Sequence, residues 1–378
     1  MINTVTFNNF RCFDEFTVPL SSVTMLTGVN GVGKTTILEG LFCLFSETKL
    51  DVSLLTRYHK STCSGLYPTP NATQGVFKKR YNYKMFWDEC PYQNENKCSV
   101  SAVSENRVKW TWEYKKSKLY DMDSNTIANF PIPVDDSTEF ADWVWHRSSD
   151  YNPYSFTPRV QILTSDGGLY LFPNLLQTSS ICKYLDFSTE RTQPFKLSFN
   201  IAKELTKALS IIEPRITDVR LIDNESGLSV VLDNAKEISL EAVGNGAVTW
   251  ANILLEIFST TEKLNGLPQP GGSRTDPQLI EYPVFILLDE IGVGIHYSIM
   301  NDIWKYFYEF SKHNSNVQFV FSSHSDDCIR AFCETFLNQD SASVIRLHKT
   351  VTDNKIKYTK YENGMFRNIV DGDWEVRG

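Results

Sequence analysis

The chain has 378 residues, of which 42% are hydrophobic and 13% aromatic, and it carries a formal net charge of -8. This length is enough for one large domain or two, and the negative charge argues against a protein whose whole surface binds nucleic acid. No apolar run is long enough to predict a membrane span, and the first residues lack the pattern of a secretion signal. Eight cysteines without a C-x-x-C pair predict a cytoplasmic protein with free thiols, although a zinc site at Cys63, Cys90 and Cys98 remains a minority alternative.

The N-terminal segment predicts three short strands, over Thr4–Phe7, Phe16–Val18 and Val23–Leu26. A turn that contains Arg11 lies between the first two. An arginine at this place could meet the phosphates of a bound nucleotide with its planar fork of donors. The plainer alternative is a surface arginine beside two core phenylalanines.

A glycine-rich turn follows the third strand. Its sequence, Gly28-Val29-Asn30-Gly31-Val32-Gly33-Lys34-Thr35-Thr36, fits G-x-x-x-x-G-K-[ST], and apolar residues at helical spacing continue to Phe45. Strand, glycine turn and helix is the order that a phosphate-binding loop requires, because glycines let backbone N–H groups wrap a polyphosphate. We expect Lys34 to reach the β- and γ-phosphates of a bound nucleotide and Thr35 to coordinate Mg²⁺. An ordinary glycine turn is the alternative. The residues predicted here to bind nucleotide are Asn30, Gly31, Gly33, Lys34, Thr35 and Thr36.

Between residues 61 and 177 the chain is rich in Tyr, Trp, Asn, Ser and Pro. Strict alternation over Arg107–Lys115 predicts an antiparallel strand, and Val76–Phe86 and Val160–Phe172 predict further strands or hairpins. We interpret this part as a β-rich subdomain inserted into a nucleotide-binding core, which divides the chain into residues 1–60, 61–177 and 178–378. Basic residues cluster at Lys78–Arg80 and Lys115–Lys118, where a solvated charged face is the plainer alternative to a DNA-binding surface.

Regular patterns return after residue 196. The predicted elements are a helix over Leu197–Leu209, a hairpin of Thr217–Ile222 and Leu228–Leu232, and a helix that opens at the turn Glu241–Gly246. Gly244 and Gly246 make this a second glycine-rich turn at a helix N-terminus, and therefore a second candidate anion site.

The final third contains the candidate catalytic residues. The unbroken apolar run Pro283–Leu288 predicts a buried parallel strand that ends in Asp289 and Glu290. Because catalytic groups in open α/β sheets lie at such strand ends, we expect Asp289 to hold Mg²⁺ through its water shell and Glu290 to polarise the attacking water. The strand Val317–Phe321 places His324 beside this pair as a candidate γ-phosphate contact, although a lone histidine is usually structural. Further predicted elements are helices over Ile299–His313 and Asp327–Leu337 and a hairpin of Val344–Leu347 and Ile356–Tyr361.

Together these motifs resemble those of ABC-type ATPases of the RecF/SMC/OLD class, often described as AAA-family ATPases with an internal insertion. Asn9–Phe13 is similar to the NFR-x-F element of this class, whose arginine touches nucleotide, and the phosphate loop matches throughout. Leu287–Ile291 with the following Gly294–Ser298 resembles the acidic strand and its turn, and Phe321–Ser325 resembles the histidine switch. The resemblance implies an α/β P-loop NTPase fold, a mixed sheet with helices, and hydrolysis of ATP with Mg²⁺. It does not extend to residues 61–177.

The resemblance also implies a homodimer or higher oligomer that closes around ATP. Gly244 and Gly246 would then meet the nucleotide of the partner protomer, as the signature motif of the class does. Ala242 stands where the class often has serine, and Gly292–Gly294 replaces a more usual acidic or polar turn. The two glycines keep the backbone N–H donors of the signature motif, but the serine hydroxyl is absent. How tightly the dimer closes around ATP is therefore in question.

Solitary ATPase heads of this family commonly belong to bacterial anti-phage systems of the PARIS or Septu type, where they act with a nuclease or toxin. The sequence contains no long heptad run and no guanine-reading N-K-x-D motif. We therefore favour an ATPase that controls an effector protein, with no membrane partner. The alternatives are a RecF-like ATPase that holds DNA across the dimer in repair or maintenance, and a scaffold that binds ATP but barely hydrolyses it.

Overall fold

The structure is a computed structural model, and its described residues fall into two compact units. It describes residues 1–45, 97–105, 109–118, 139–149, 152–155, 159–163, 169–171, 181–186, 197–222, 227–266, 284–293, 295–315, 317–351 and 354–372. Unit one comprises Met1–Leu20, Thr35–Ser180 and Lys349–Lys357, and unit two comprises Ser21–Lys34, Ile181–His348 and Tyr358–Gly378.

The described part contains seventeen strands and six α-helices. The strands are β1 (Ile2–Phe10), β2 (Phe13–Pro19), β3 (Val23–Thr27), β4 (Lys97–Ser104), β5 (Lys109–Lys118), β6 (Glu139–Ser149), β7 (Asn152–Ser155), β8 (Arg159–Leu163), β9 (Leu169–Leu171), β10 (Ile181–Asp186), β11 (Ile216–Leu221), β12 (Leu228–Leu232), β13 (Glu237–Ser239), β14 (Val284–Asp289), β15 (Val317–Ser322), β16 (Ala342–Lys349) and β17 (Ile356–Tyr361). The helices are α1 (Lys34–Phe45), α2 (Phe199–Leu209), α3 (Asn245–Gly266), α4 (Met300–His313), α5 (Asp326–Thr335) and α6 (Asn363–Val370). Within these ranges, no helix has both the length and the apolar character needed to cross a bilayer.

Unit one is built on an antiparallel sheet in the order β2-β1-β4-β5-β6-β8-β9, with β7 paired to β6. Its core includes stacked rings of Phe13 and Phe16, whose centroids lie 4.4 Å apart. Helix α1 approaches this aromatic cluster at Gly40, where an added Cβ would lie only 2.4 Å from the ring of Phe7. A glycine in mid-helix normally weakens the helix, so its use here is explained by the close packing.

The strand pairing confirms that the described parts of residues 61–177 are β-rich, and it adds a connection that the sequence did not predict. Strand β1 pairs with β4, so the two N-terminal strands continue the sheet of the insert. The predicted strand at Val76–Phe86 lies outside the described residues. The three-segment division of the chain therefore stays a prediction.

Unit two is built on a six-stranded sheet in the order β10-β14-β15-β3-β16-β17. The first five strands are parallel neighbours, and β3, β14 and β15 are buried along their whole length. This burial on both faces explains their unbroken apolar sequences. All of these strands end at the same edge of the sheet, which places the segments that follow β3, β14 and β15 together. The predicted α/β class is confirmed.

Helices α2 to α6 and one face of this sheet form a continuous apolar core. Trp304 of α4 lies at its centre, packed edge-on against Phe321 and Phe332 at centroid distances of 4.9 and 5.1 Å. Its indole N–H donates to the carbonyl oxygen of Cys328 at 3.0 Å, so the buried donor is satisfied. The predicted hairpin of β11 and β12 is also confirmed, and β13 joins it in a small antiparallel sheet.

Candidate functional site

The glycine-rich loop leaves β3 at the carboxyl edge of the unit-two sheet. Gly28, Gly31 and Gly33 have φ angles of +134°, +77° and +99°, which side chains other than glycine rarely adopt. An added Cβ at Gly28 would lie 2.3 Å from the carbonyl oxygen of Leu347 in the neighbouring strand β16. At Gly31, in contrast, no described atom lies within 4 Å of an added Cβ. Gly28 thus lets the loop pack on the sheet, whereas Gly31 leaves open space above the backbone.

Lys34 ends this loop and begins α1, and it is buried, with 8% exposure. Its ammonium donates to the carbonyl oxygens of Gly28 at 2.7 Å and Val29 at 3.1 Å. Burial lowers the pKa of Lys34 from its usual value, and the negative charges of Asp289 and Glu290 act in the opposite direction. The loop lysine is therefore close enough to the acidic pair for both negative charges to act on it.

The acidic pair ends β14, the strand separated from β3 only by β15. Asp289 is buried and still belongs to the strand, whereas Glu290 is exposed and has a left-handed φ of +57°. A left-handed conformation costs a residue with a Cβ about 1–2 kcal/mol. Glu290 adopts this conformation in the turn at the carboxyl edge of the sheet, directly after β14.

Ser322 is a site residue that the sequence reading missed. It ends β15 and its hydroxyl donates to Asp289 Oδ1 at 2.5 Å and accepts from the backbone N–H of Glu290 at 2.8 Å. The N–H of Ile291 donates to the Ser322 carbonyl oxygen at 2.9 Å. A serine at the end of a strand is common, so the only available signal was its position beside the acidic strand.

His324 lies two residues beyond the end of β15 and is exposed. The backbone on its N-terminal side is fixed, because the N–H of Ser323 donates to the Leu26 carbonyl oxygen at 3.0 Å. On its C-terminal side, Ser325 caps α5 by accepting from the N–H of Cys328. The predicted neighbourhood of His324, on the strand next to the acidic pair, is confirmed. Its contact with a γ-phosphate stays a prediction.

Arg11 belongs to unit one, where it makes an ion pair that the sequence did not reveal. Its Nη1 lies 3.0 Å from Oε2 of Glu39 on α1, and their side chains are 11% and 1% exposed. The adjacent Cys12 thiol donates to the Thr36 hydroxyl at 3.5 Å, so the Arg11 turn lies beside the first turn of α1. Glu39 is thus a buried carboxylate that holds the side chain of Arg11, the predicted nucleotide contact, beside the first turn of α1.

The second glycine-rich turn lies at the N-terminus of α3. Gly244 has a φ of +134°, and its carbonyl oxygen accepts from the N–H groups of Ala247 and Val248. Glu241 in the preceding turn accepts a hydrogen bond from Ser239, which lowers the pKa of its carboxyl. The structure places Gly246 within the first turn of the helix, and the role of both glycines towards a partner protomer stays a prediction.

Two further predictions concern metal ions. In the described ranges, no three His, Cys, Asp or Glu side chains are grouped as a metal-binding cluster. Cys63 and Cys90, the other members of the possible zinc site with Cys98, lie outside these ranges. The predicted Mg²⁺ residues are a separate case, because Mg²⁺ on a nucleotide keeps most of its water and needs only one or two protein oxygens.

Comparison with known proteins adds to this geometry. Residues 1–141 match the family model described as the AAA ATPase domain. No protein in a search of the curated sequences matches this chain. Among solved structures, the SMC head domain from Thermotoga maritima is similar over 96% of this chain and 99% of its own, with 13% identity and a TM-score of 0.43. A likeness at this level carries no functional conclusion.

The AAA ATPase match covers somewhat more than a third of the chain. It contains the Arg11 turn, the complete phosphate loop and Glu39, and it ends before the acidic pair, His324 and the second glycine turn. The match therefore supports an ATPase domain over residues 1–141 and says nothing of the residues that follow.

The two loop glycines give a matched pair of substitutions. We expect Gly28→Ala to lower the free energy of unfolding by about 3 kcal/mol, since overpacking and left-handed strain each cost roughly 1–3 kcal/mol. Gly31→Ala meets open space, so it should cost only about 1 kcal/mol of strain but weaken ATP binding about tenfold or more by filling the phosphate cradle. Chemical denaturation and ATP titration of both variants test this. Equal effects of the two on stability would contradict the assignment.

Proposed function

We propose that the protein binds ATP at the loop Gly28–Thr36 and hydrolyses it beside Asp289 and Glu290. The observation that carries this proposal is the position of Lys34, whose buried ammonium is bonded to the loop and lies in the field of the acidic pair. A buried cation at a glycine cradle fits a polyphosphate, since phosphate oxygens can replace the carbonyl oxygens as its acceptors.

The chain's own residues have distinct roles in this proposal. In unit two, Lys34 holds the β- and γ-phosphates. In unit one, Arg11 offers a planar donor group that Glu39 keeps in place. Glu290 orients the attacking water and accepts its proton, and His324 donates to the γ-phosphate. The Thr35 hydroxyl and the Asp289 carboxylate supply oxygen ligands that suit Mg²⁺, directly or through water. When bound, the ion would neutralise charge that develops on the phosphate oxygens.

We further propose that two protomers close around ATP. The turn before α3 supports this, because no described atom lies within 4 Å of a Cβ added at Gly244, so its backbone is open to a partner. In a two-fold dimer this turn would meet the nucleotide held by the partner, so each composite site would use residues from both chains. Ala242 provides no hydroxyl there, so we expect the closed dimer to depend on backbone donors.

The process that ATP hydrolysis drives is proposed in less detail than the site itself. An ATPase that controls an effector such as a nuclease or toxin, in the cytoplasm and in anti-phage defence, is our favoured interpretation, and it is supported by the sequence resemblance alone. A DNA-dependent ATPase is the alternative. The lysines of β5, at Lys115–Lys118, are the feature that favours it. DNA-stimulated and salt-sensitive turnover would select this alternative, and turnover indifferent to DNA would reject it.

Mixing two inactive variants tests both hydrolysis and the composite site. Lys34→Ala protein lacks the phosphate contact but keeps the second glycine turn, and Gly246→Leu protein has the reverse defect. Each variant alone should release little phosphate from ATP, because every site in its dimers is incomplete. An equimolar mixture should recover about a quarter of wild-type turnover, since half of its dimers contain one intact composite site.

Two outcomes of the mixing experiment would overturn parts of the proposal. No recovery in the mixture, with both variants folded, would contradict a site shared between protomers. Wild-type protein that releases no phosphate would contradict hydrolysis itself and would favour the scaffold that only binds ATP.

A further inference from the structure

The hydroxyl of Ser322 connects the two acidic residues of the site. The side chain is fully buried at the end of β15, and its hydroxyl bonds to Asp289, the last residue of β14, and to Glu290, which follows it. A hydroxyl has one proton to donate, and here that proton is committed to Asp289 Oδ1. Its lone pairs accept the N–H of Glu290. One small group thus sets the rotation of one carboxylate and the backbone position of the other.

The backbone after β14 is held by the same residue. The N–H of Glu290 donates to the Ser322 hydroxyl, and the N–H of Ile291 donates to the Ser322 carbonyl oxygen. Glu290 has a left-handed φ of +57°, a conformation that a non-glycine residue keeps only when its surroundings impose it. Removal of the hydroxyl would leave the Glu290 N–H without this partner, so the turn would lose the bond that holds its left-handed residue.

We propose that Ser322 is a positioning residue, which aligns Asp289 and Glu290 for attack on the γ-phosphate without touching the nucleotide. Ser322 has this role only if the proposed hydrolysis takes place. Positioning within a few tenths of an ångström matters because small displacements of a general base reduce turnover far more than they reduce binding. The expected signature is therefore a loss of kcat at nearly constant affinity for ATP.

The substitution Ser322→Ala removes the hydroxyl with little change of volume. We expect kcat for ATP hydrolysis to fall about tenfold or more, while the dissociation constant for ATP changes less than about threefold. Ser322→Thr keeps a hydroxyl at the same place and should recover part of the lost kcat. Affinity is measured by calorimetric titration with a non-hydrolysable ATP analogue, and kcat by phosphate release from folded, full-length protein.

Ser343 on β16 offers a matched control. It is also fully buried in the same sheet, and its hydroxyl makes no hydrogen bond to any described residue. Ser343→Ala should leave kcat within about twofold of wild type, since it removes the same group without touching the acidic pair. If the two alanine variants lose kcat equally, Ser322 acts through general packing and the positioning role is wrong.

A double-mutant cycle with Glu290→Gln shows whether the effect of Ser322→Ala on kcat depends on the Glu290 carboxylate. If Ser322 acts through Glu290, Ser322→Ala should lower the residual turnover of the Glu290→Gln protein much less than it lowers that of wild type. Full additivity would overturn positioning through Glu290, and unchanged kcat in Ser322→Ala would overturn the positioning role as a whole, while the proposed hydrolysis stands in both cases. Wild-type protein without turnover would overturn both.

Discussion

Lys34→Ala is expected to abolish ATP binding at ordinary concentrations and, with it, turnover. Truncation of one partner in a buried, hydrogen-bonded charge interaction costs about 2–5 kcal/mol, which is roughly 30- to 5000-fold in affinity. Lys34 meets this condition, because its ammonium is buried and its present acceptors are the carbonyl oxygens of the loop. Calorimetric titration of the variant with ATP and Mg²⁺ measures the loss directly.

The matched control for this variant is Lys305→Ala. Lys305 is an exposed lysine of α4 that pairs with Asp302 on the same helix. Such surface pairs contribute little, so the control should bind ATP as wild type does. ATP affinity in Lys34→Ala within about threefold of the control would show that the loop does not hold the phosphates.

Glu290→Gln is expected to separate binding from hydrolysis. Loss of a general base reduces turnover by about 10²–10⁴-fold, whereas the amide keeps the size of the side chain. Because Glu290 is exposed, the substitution should leave the folded state essentially unchanged. The variant should therefore bind ATP at least as well as wild type, and single-turnover phosphate release should show the slow chemical step.

Glu309→Gln makes the same chemical change on the exposed surface of α4, near Lys312. It should keep wild-type turnover. If Glu290→Gln also retains most of its turnover, the general base is a different group, and the assignment of the acidic pair has to be revised.

The elements nearest the site could be predicted because their sequences have strong local patterns. The unbroken apolar runs of β14 and β15 require burial on both faces, which occurs in the middle of a parallel sheet. The glycine loop was predictable because few structures need that spacing of glycines before a lysine. The adjacency of His324 to the acidic pair followed from strand order, and the pairing of β14 with β15 confirms it.

Other features depend on pairings between distant residues, which local patterns do not encode. Strand β10 pairs with β14 across about a hundred residues of chain, and its short sequence, Ile181–Asp186, has no pattern that distinguishes it from a surface strand. Glu39 reads as an ordinary polar residue of a helix, yet it is buried against Arg11. Helix α6 was missed because its eight residues are too few for a clear helical period.

The central claim is that one site holds the triphosphate at Lys34 and attacks it beside Glu290. A crystal structure of the Glu290→Gln protein with ATP and Mg²⁺ tests this most directly. It should show γ-phosphate oxygens about 2.7–3.2 Å from Lys34 Nζ, with the side chain of residue 290 facing the γ-phosphorus across one water. A triphosphate bound elsewhere, or an empty glycine loop at saturating ATP, would contradict the account.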